Sequence, residues 1–194
     1  MRFHVRPRRT GTSARRRPLL LPLALVLAST GAITAATPAA AGDHSAKIHV
    51  WTKHTDQGYI VAVARVPATA EKIREFISDG ERAHNLAPTT IKATKTADDG
   101  TCQRMHLKVR GVFSPFEIDT RRCRTAKGFR ETMVASDDFD FYDVEWVIEP
   151  AGEYSMVSFR ARNVLSMAVP QGLQIRESKK VMAKTVKNLA SALR

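Results

Sequence analysis

The chain has 194 residues, of which 43% are hydrophobic and 26% are charged, a composition that excludes disordered and fibrous proteins. Its formal net charge of +12 is unevenly placed, because residues 1–41 contain seven arginines and no acidic residue. The rest of the chain carries only +5 (12 − 7), which excludes a strongly basic nucleic-acid-binding domain.

The first 41 residues have the pattern of a cleavable secretory signal peptide. An arginine-rich start is followed by an apolar run from Leu19 to Ala28 and then by small residues that end at Ala41. We therefore predict cleavage between Ala41 and Gly42, and a secreted or extracytoplasmic mature protein. The alternative is an uncleaved anchor, but about ten apolar residues are too few to cross a bilayer. Arg16-Arg17 leaves both the Sec and the twin-arginine export routes open.

Residues 42–194 are predicted to form one domain that opens with two strands and two short helices. Alternating side chains indicate strands at 47–55 and 59–66. A helix from Thr69 to Gly80 follows, because threonine is a suitable N-cap and glycine commonly ends a helix. A second short helix is predicted over 81–86.

The two cysteines lie in two segments that alternate strictly between polar and apolar residues, 101–110 and 116–123. Such a pattern predicts two half-buried strands, and an even number of cysteines in an exported chain favours a disulfide over free thiols. Pairing Cys102 with Cys123 sets a register with two charge pairs outside and two apolar pairs inside, namely His106–Asp119, Lys108–Glu117, Leu107–Ile118 and Val109–Phe116. Arg104 opposite Arg121 is the one unfavourable pair in this register.

The remainder of the chain is predicted to add strands and then one long helix. The further strands lie at 90–96, 128–136, 141–149 and 154–163. After Pro170, one helical stripe is apolar, and it consists of Ile175, Met182, Val186, Leu189 and Leu193. Much of the remaining helix surface is basic through Lys179, Lys180, Lys184 and Lys187. Grouped strands with few helices predict an α+β fold, in which the C-terminal helix covers an antiparallel sheet.

The order of these elements resembles the START-like, helix-grip (SRPBCC-type) superfamily, which includes polyketide cyclase/dehydrase-like and lipid-transport-like proteins. Four segments carry the resemblance, namely Arg65-Val66-Pro67-Ala68 with the helix over 71–79, Asn85-Leu86-Ala87-Pro88, the hairpin from Val144 to Gly152, and Val169-Pro170. The resemblance covers about residues 48–193. The predicted disulfide and the export signal depart from the common cytosolic members.

The resemblance implies a curved sheet around the last helix, with an apolar cavity between them for a lipid-like or polyketide-like molecule. The alternation in the strands and the helical stripe agree with the expected lining, which is Met105, Leu107, Val109, Phe116, Ile118, Thr120, Arg122, Trp146, Met182 and Val186. Gln103 is a further polar residue predicted to face inward. The alternative is that these residues pack as a solid core.

The sequence contains no phosphate-binding loop, nucleophile elbow or zinc signature, so no cofactor and no metal site are expected. His106 with Asp119 could form a catalytic pair, but the predicted register places both on the outer face as a solvated pair. The acidic segment 137–140 lacks the glycine and the distal glutamate of a calcium loop, so a solvated turn is predicted.

Three functions are consistent with the sequence, and it does not indicate an oligomeric state. The first is a non-catalytic binding protein for an apolar small molecule. The second is a cyclase, aromatase or dehydratase, for which the candidate acid/base residues are Thr120, Arg122, Glu131 and Tyr142. The third is a domain with a filled core, whose basic helix makes weak contact with anionic envelope components. Because export separates the protein from cytosolic carrier-bound substrates, we favour the first.

Overall fold

The computed structural model describes residues 48–111 and 114–194, in which one antiparallel sheet curves against three helices. The strands are β1 (Val50–His54), β2 (Ile60–Val66), β3 (Thr90–Asp98), β4 (Cys102–Val109), β5 (Phe116–Thr125), β6 (Gly128–Ala135), β7 (Phe139–Ala151) and β8 (Tyr154–Leu165). Their order in the sheet is β1-β2-β8-β7-β6-β5-β4-β3. The predicted signal peptide and its cleavage site at Ala41 and Gly42 lie outside the described residues. This architecture confirms the predicted α+β helix-grip arrangement.

The two short helices, α1 (Ala70–Ser78) and α2 (Gly80–His84), meet at Asp79. Thr69 caps α1 as predicted, because its hydroxyl accepts a hydrogen bond of 3.3 Å from the backbone N–H of Lys72. Asp79 ends α1 and also caps α2, since its carboxylate accepts from the N–H of Arg82 at 3.2 Å. The second helix therefore begins and ends earlier than the predicted range 81–86.

Replacing Thr69 with alanine is expected to lower the free energy of unfolding by about 1 kcal/mol, because the N–H of Lys72 loses its acceptor. Urea denaturation measures this difference. Thr69→Ser keeps the hydroxyl and serves as the control. An equal loss in both variants would show that the hydroxyl does not cap the helix.

The register between β4 and β5 is the predicted one at all eight residue pairs, from Cys102 opposite Cys123 to Val109 opposite Phe116. The cysteines form the disulfide. The unfavourable pair of Arg104 and Arg121 is also present. The loop between these strands was predicted over 111–115, and residues 112 and 113 lie outside the described part of the chain.

Several strands are longer than predicted, and the start of β7, in the acidic segment 137–140, gives the physical reason. Phe139 and Asp140 belong to β7 and not to a solvated turn. Phe139 is buried and its ring packs edge-on against the rings of Phe116 and Tyr142, so extending the strand buries an aromatic side chain. Asp138 accepts a hydrogen bond from the N–H of Glu117. The turn is thus shorter than its composition suggested.

The long helix α3 (Gln171–Ala192) covers the sheet along the predicted stripe. Met182, Val186, Leu189 and the adjoining Leu193 are buried, while Ile175 is partly buried against the same core. The helix packs mainly on β1 and β2. Within the residues that the structure describes, no helix is long and apolar enough to cross a membrane.

Candidate functional site

A cavity of about 470 Å³ lies under the first half of α3. Its walls come from the inner faces of β4 to β8, from α2 and from α3. Most of the lining is apolar and includes Leu107, Ile118, Phe139, Val144, Trp146, Phe159 and Met182. Arg110, Leu173 and Glu177 also line the cavity and are exposed, so it opens where α3 begins. An apolar cavity with few polar groups is the usual form of a small-molecule site.

Four polar residues form one cluster at the cavity, which we call the anchor cluster: His84, Thr120, Arg122 and Glu131. The carboxylate of Glu131 is 1% exposed and forms its centre. His84 Nε2 lies 3.0 Å from each carboxylate oxygen. The hydroxyl of Thr120 donates to Oε1 at 2.5 Å. Nη1 of Arg122 lies 3.6 Å from Oε2.

The anchor cluster keeps Glu131 ionised although it is fully buried. Burial by itself raises the pKa of a carboxyl group, because it disfavours the charged form. His84 and Arg122 oppose this effect by their charge, and the hydrogen bonds from His84 and Thr120 add to that opposition. The pKa of Glu131 is lowered to about 2 as a result. The cavity wall therefore carries an ionised carboxylate, paired with the guanidinium of Arg122, at neutral pH.

Arg122 is fixed by contacts outside the ion pair. Its Nη2 donates to the carbonyl oxygen of Ile77 at 2.6 Å, and the guanidinium lies 4.4 Å from the centre of the Phe129 ring. Burial lowers the pKa of Arg122, and the charge of Glu131 opposes that lowering. Nε of Arg122 is buried and has no hydrogen-bond partner among the described residues, whereas Oε2 of Glu131 has only its ionic contacts with His84 and Arg122. A buried donor such as this Nε–H is costly unless something pairs with it.

No protein-family model and no curated protein matches the chain. Solved structures do match. A START superfamily protein from Mycobacterium smegmatis aligns with a TM-score of 0.61 and 16% identity over 70% of this chain and 96% of its own. A STAR-related lipid transfer protein from Xanthomonas axonopodis aligns with a TM-score of 0.63 and 15% identity, over 76% of this chain and 93% of its own. The Zhui aromatase/cyclase from a Streptomyces species aligns with a TM-score of 0.55 and 16% identity, over 70% of this chain and 90% of its own.

This chain has the START-like helix-grip fold. The cavity lies between the sheet and the C-terminal helix, where the sequence resemblance placed it. The solid-core alternative does not describe this helix-grip domain, because the cavity separates part of α3 from the sheet.

Seven of the ten residues predicted for the pocket of the helix-grip domain line the cavity: Leu107, Val109, Phe116, Ile118, Arg122, Trp146 and Met182. The other three are buried beside it. Met105 packs under the junction of α1 and α2, next to Gly80. Thr120 turns its hydroxyl to Glu131, and Val186 packs in the main core.

His84, the last residue of α2, was not among the site residues predicted from the sequence. Nothing in its local pattern separates it from a surface histidine. Glu131 and Tyr142 were candidate acids or bases of unknown orientation, and both line the cavity. Burial, and next the charge of Glu131, hold the pKa of Tyr142 well above its usual value, so its phenol stays protonated. An acid at an inward-facing strand position was the available signal for this site.

The outer face of the sheet carries separate polar contacts. His106 and Asp119 face each other there at 2.9 Å and are largely solvated, as predicted. Asp143 also lies on this face, where it is buried and accepts hydrogen bonds from Tyr59 and Arg130. Burial raises the pKa of Asp143, and those two hydrogen bonds more than offset the increase. The described residues contain no group of three potential metal ligands.

Proposed function

We propose that this protein is a secreted, non-catalytic binding protein that holds an apolar small molecule between its sheet and α3. The observation that carries the proposal is the apolar cavity with one buried polar cluster. Binding would be driven by removing the apolar surface of the ligand from water. The names of the matched structures, among them lipid transfer proteins, support a ligand of this class.

The Arg122–Glu131 pair favours a ligand with a hydroxyl group, because both residues line an otherwise apolar cavity. The carboxylate of Glu131 can accept a hydrogen bond, and the guanidinium of Arg122 can donate one. A hydroxyl group both donates and accepts, so one such group can serve either residue. A carboxylate would add a second negative charge beside Glu131, and a hydrocarbon would make no hydrogen bond with either residue. We therefore propose a neutral amphiphile that enters with its hydroxyl end first.

Calorimetric titration with 1-dodecanol, its methyl ether and dodecanoate tests this ligand class. The alcohol is expected to bind about tenfold more tightly than the ether, because only the alcohol donates to the ionised Glu131. Dodecanoate is expected to bind more weakly than the alcohol at neutral pH. Equal affinities for all three would refute the head-group assignment, and no binding of any of them would count against the carrier function.

Fluorescence offers an independent measurement of where the probe binds. The chain has two tryptophans, and Trp146 lines the cavity while Trp51 is exposed on β1. In the variant Trp51→Phe, the emission reports on Trp146 alone. A change in this emission on adding 1-dodecanol, with the midpoint found by calorimetry, would support binding inside the cavity.

The location of the protein is inferred from the sequence of residues 1–41 and is part of the proposal. A disulfide is compatible with an oxidising compartment. Native mass spectrometry of the exported protein, purified without reductant, tests both the cleavage and the disulfide. The mass calculated for residues 42–194 less two hydrogens would support the proposal, whereas the mass of the chain with residues 1–41 would contradict it. A co-purified adduct of a few hundred daltons would identify the ligand.

A second candidate function is cyclisation or dehydration of a polyketide-like substrate. The observation that favours it is the buried imidazole–carboxylate pair of His84 and Glu131, since a carboxylate can orient a histidine for proton transfer. Incubation with a poly-β-ketone thioester separates the two functions. A cyclised product that disappears in His84→Gln would support the enzyme, and recovery of bound, unchanged substrate would support the carrier.

A further inference from the structure

We propose that the Cys102–Cys123 disulfide positions the anchor cluster, so that the oxidised protein selects the hydroxyl end of its ligand and the reduced protein does not. This inference rests on the proposed function of that cluster. It assigns the disulfide a role in binding in addition to its effect on stability. The disulfide itself lies outside the cavity, on the opposite face of the sheet.

The residues next to the two cysteines face inward and oppose each other. Gln103 follows Cys102 on β4, Arg122 precedes Cys123 on β5, and the two are paired in the sheet register. Because side chains alternate along a strand, the disulfide is on the outer face and this pair is on the inner face. Any change in how the two strands meet at the disulfide therefore moves Gln103 and Arg122 directly.

Both of these side chains hold the junction between α1 and α2. The amide of Gln103 donates to the carbonyl of Ser78 at 3.2 Å and accepts from the N–H of Gly80 at 3.0 Å. Arg122 donates to the carbonyl of Ile77 at 2.6 Å. Side chains of β4 and β5 thus bind three backbone groups at the junction, those of Ile77, Ser78 and Gly80. They can bind all three at once only while the two strands keep their relative position.

The fit at the junction is tight. A Cβ atom placed on Gly80 would lie 2.7 Å from Oε1 of Gln103 and 2.7 Å from the sulfur of Met105. The backbone of Gly80 is therefore seated directly on the inner face of β4. Since Gly80 is the first residue of α2 and His84 is its last, this contact decides where the imidazole lies.

The contacts made by Gln103 and by Arg122 both lead to the anchor cluster. His84 bonds to Glu131, and Glu131 stands opposite Arg122 in the register of β5 and β6. Cys102 is therefore connected to Glu131 through Gln103, α2 and His84. Cys123 is connected to Glu131 through the adjacent Arg122.

We expect the disulfide to offset a repulsion between β4 and β5, because the next pair of residues on the same face of the sheet carries like charges. Arg104 faces Arg121 across the pair, two positions from the cysteines, and like charges directly opposite destabilise strand pairing. β4 also begins at Cys102, and beyond the disulfide the pairing is continued by the backbone hydrogen bond from the N–H of Arg124 to the carbonyl of Thr101 at 3.0 Å. Without the covalent link, we expect this end of the hairpin to separate and the anchor cluster to lose its geometry.

The test compares 1-dodecanol with its methyl ether in the wild type and in Cys102→Ala/Cys123→Ala. The wild type is expected to prefer the alcohol about tenfold. In the double variant this preference is expected to fall to about twofold or less, while the ether binds nearly as tightly as before, because the apolar walls are intact. A merely stabilising disulfide would leave the preference unchanged.

Two further variants keep the test decisive if the double variant folds poorly. Gln103→Met keeps the disulfide but breaks the contact with the junction, and it is expected to lose the preference as well. Adding Arg121→Glu to the double variant replaces the repulsion across from Arg104 with attraction, and it is expected to restore part of the preference. Leu189→Ala is the control, because it loosens the main core without lining the cavity, and it should keep the preference.

The outcomes separate this inference from the function on which it rests. If the oxidised wild type shows no preference for the alcohol, the assignment of the anchor cluster itself fails. If the wild type shows the preference and the folded double cysteine variant retains it, the positioning role is overturned and the disulfide acts on stability alone. If that variant does not fold, retention of the preference by Gln103→Met overturns the role in the same way.

Discussion

Replacing Arg122 with methionine is expected to lower the free energy of unfolding by about 3–5 kcal/mol, the usual effect of removing one partner of a buried ion pair. Arg122 is 2% exposed and Glu131 is 1% exposed, so the carboxylate left behind is poorly solvated. Methionine retains apolar volume against Phe129, which limits the loss from packing. The cost arises from the charge left on Glu131 and from the carbonyl of Ile77, which loses its donor.

A double-variant cycle separates the charge effect from packing. Arg122→Met combined with Glu131→Leu removes both charges, and such replacements are often close to neutral for stability. The double variant is therefore expected to recover most of the loss seen in Arg122→Met. Urea denaturation of the wild type, both single variants and the double variant provides the four values. Additive losses would show that the two side chains stabilise the fold independently.

The sequence was sufficient to predict the pairing of β4 and β5, because several independent constraints agreed on one register. The disulfide, the ion pair of Lys108 with Glu117 and the contact of Leu107 with Ile118 all require the same alignment. A shift by one residue would turn every apolar side chain of a strand to the solvent. Where local constraints agree in this way, a strand pair is determined without knowledge of the rest of the fold.

The anchor cluster could not be predicted in the same way, because it is assembled from elements that are distant in the sequence. His84 lies on α2 and Glu131 on β6, while Gln103 of β4 bonds to the start of α2 and Arg122 of β5 bonds to the end of α1. Such contacts leave no periodic signal in the sequence around His84. Glu131 is different, because it is an acid between the inward-facing Phe129 and Met133 on an alternating strand, which is a signal in the sequence. Its partners in the anchor cluster could not be identified from the sequence.

The start of β7 shows a third limit of local patterns. The acidic composition of 137–140 predicted a solvated turn, whereas Phe139 lies in the strand, where it contacts Phe116 and Tyr142. Strand propensity depends on packing against neighbours, and two aromatic contacts outweigh the preference of the flanking aspartates for turns. The error therefore reflects a tertiary contact and not a misread periodicity.

Acidification from pH 5 to pH 2 is expected to remove about 3 kcal/mol of stability through Glu131 alone. The pKa of this carboxyl falls from 4.5 to about 2 on folding, and each pKa unit corresponds to about 1.36 kcal/mol. A group with a lowered pKa in the folded state stabilises the protein above its unfolded pKa. That contribution is lost as the pH falls towards the folded value. The lowered pKa of Asp143 acts in the same direction.

Urea denaturation at several pH values between 7 and 2 measures this dependence. The variant Glu131→Gln removes the titrating group, so its stability is expected to depend less on pH over the same range. Glu177→Gln is the matched control, because Glu177 is an exposed carboxylate on α3 that pairs with Lys180, and exposed pairs contribute little. It should follow the wild-type curve. If Glu131→Gln also followed that curve, the acid sensitivity would arise elsewhere and the ionised, buried Glu131 would not be its source.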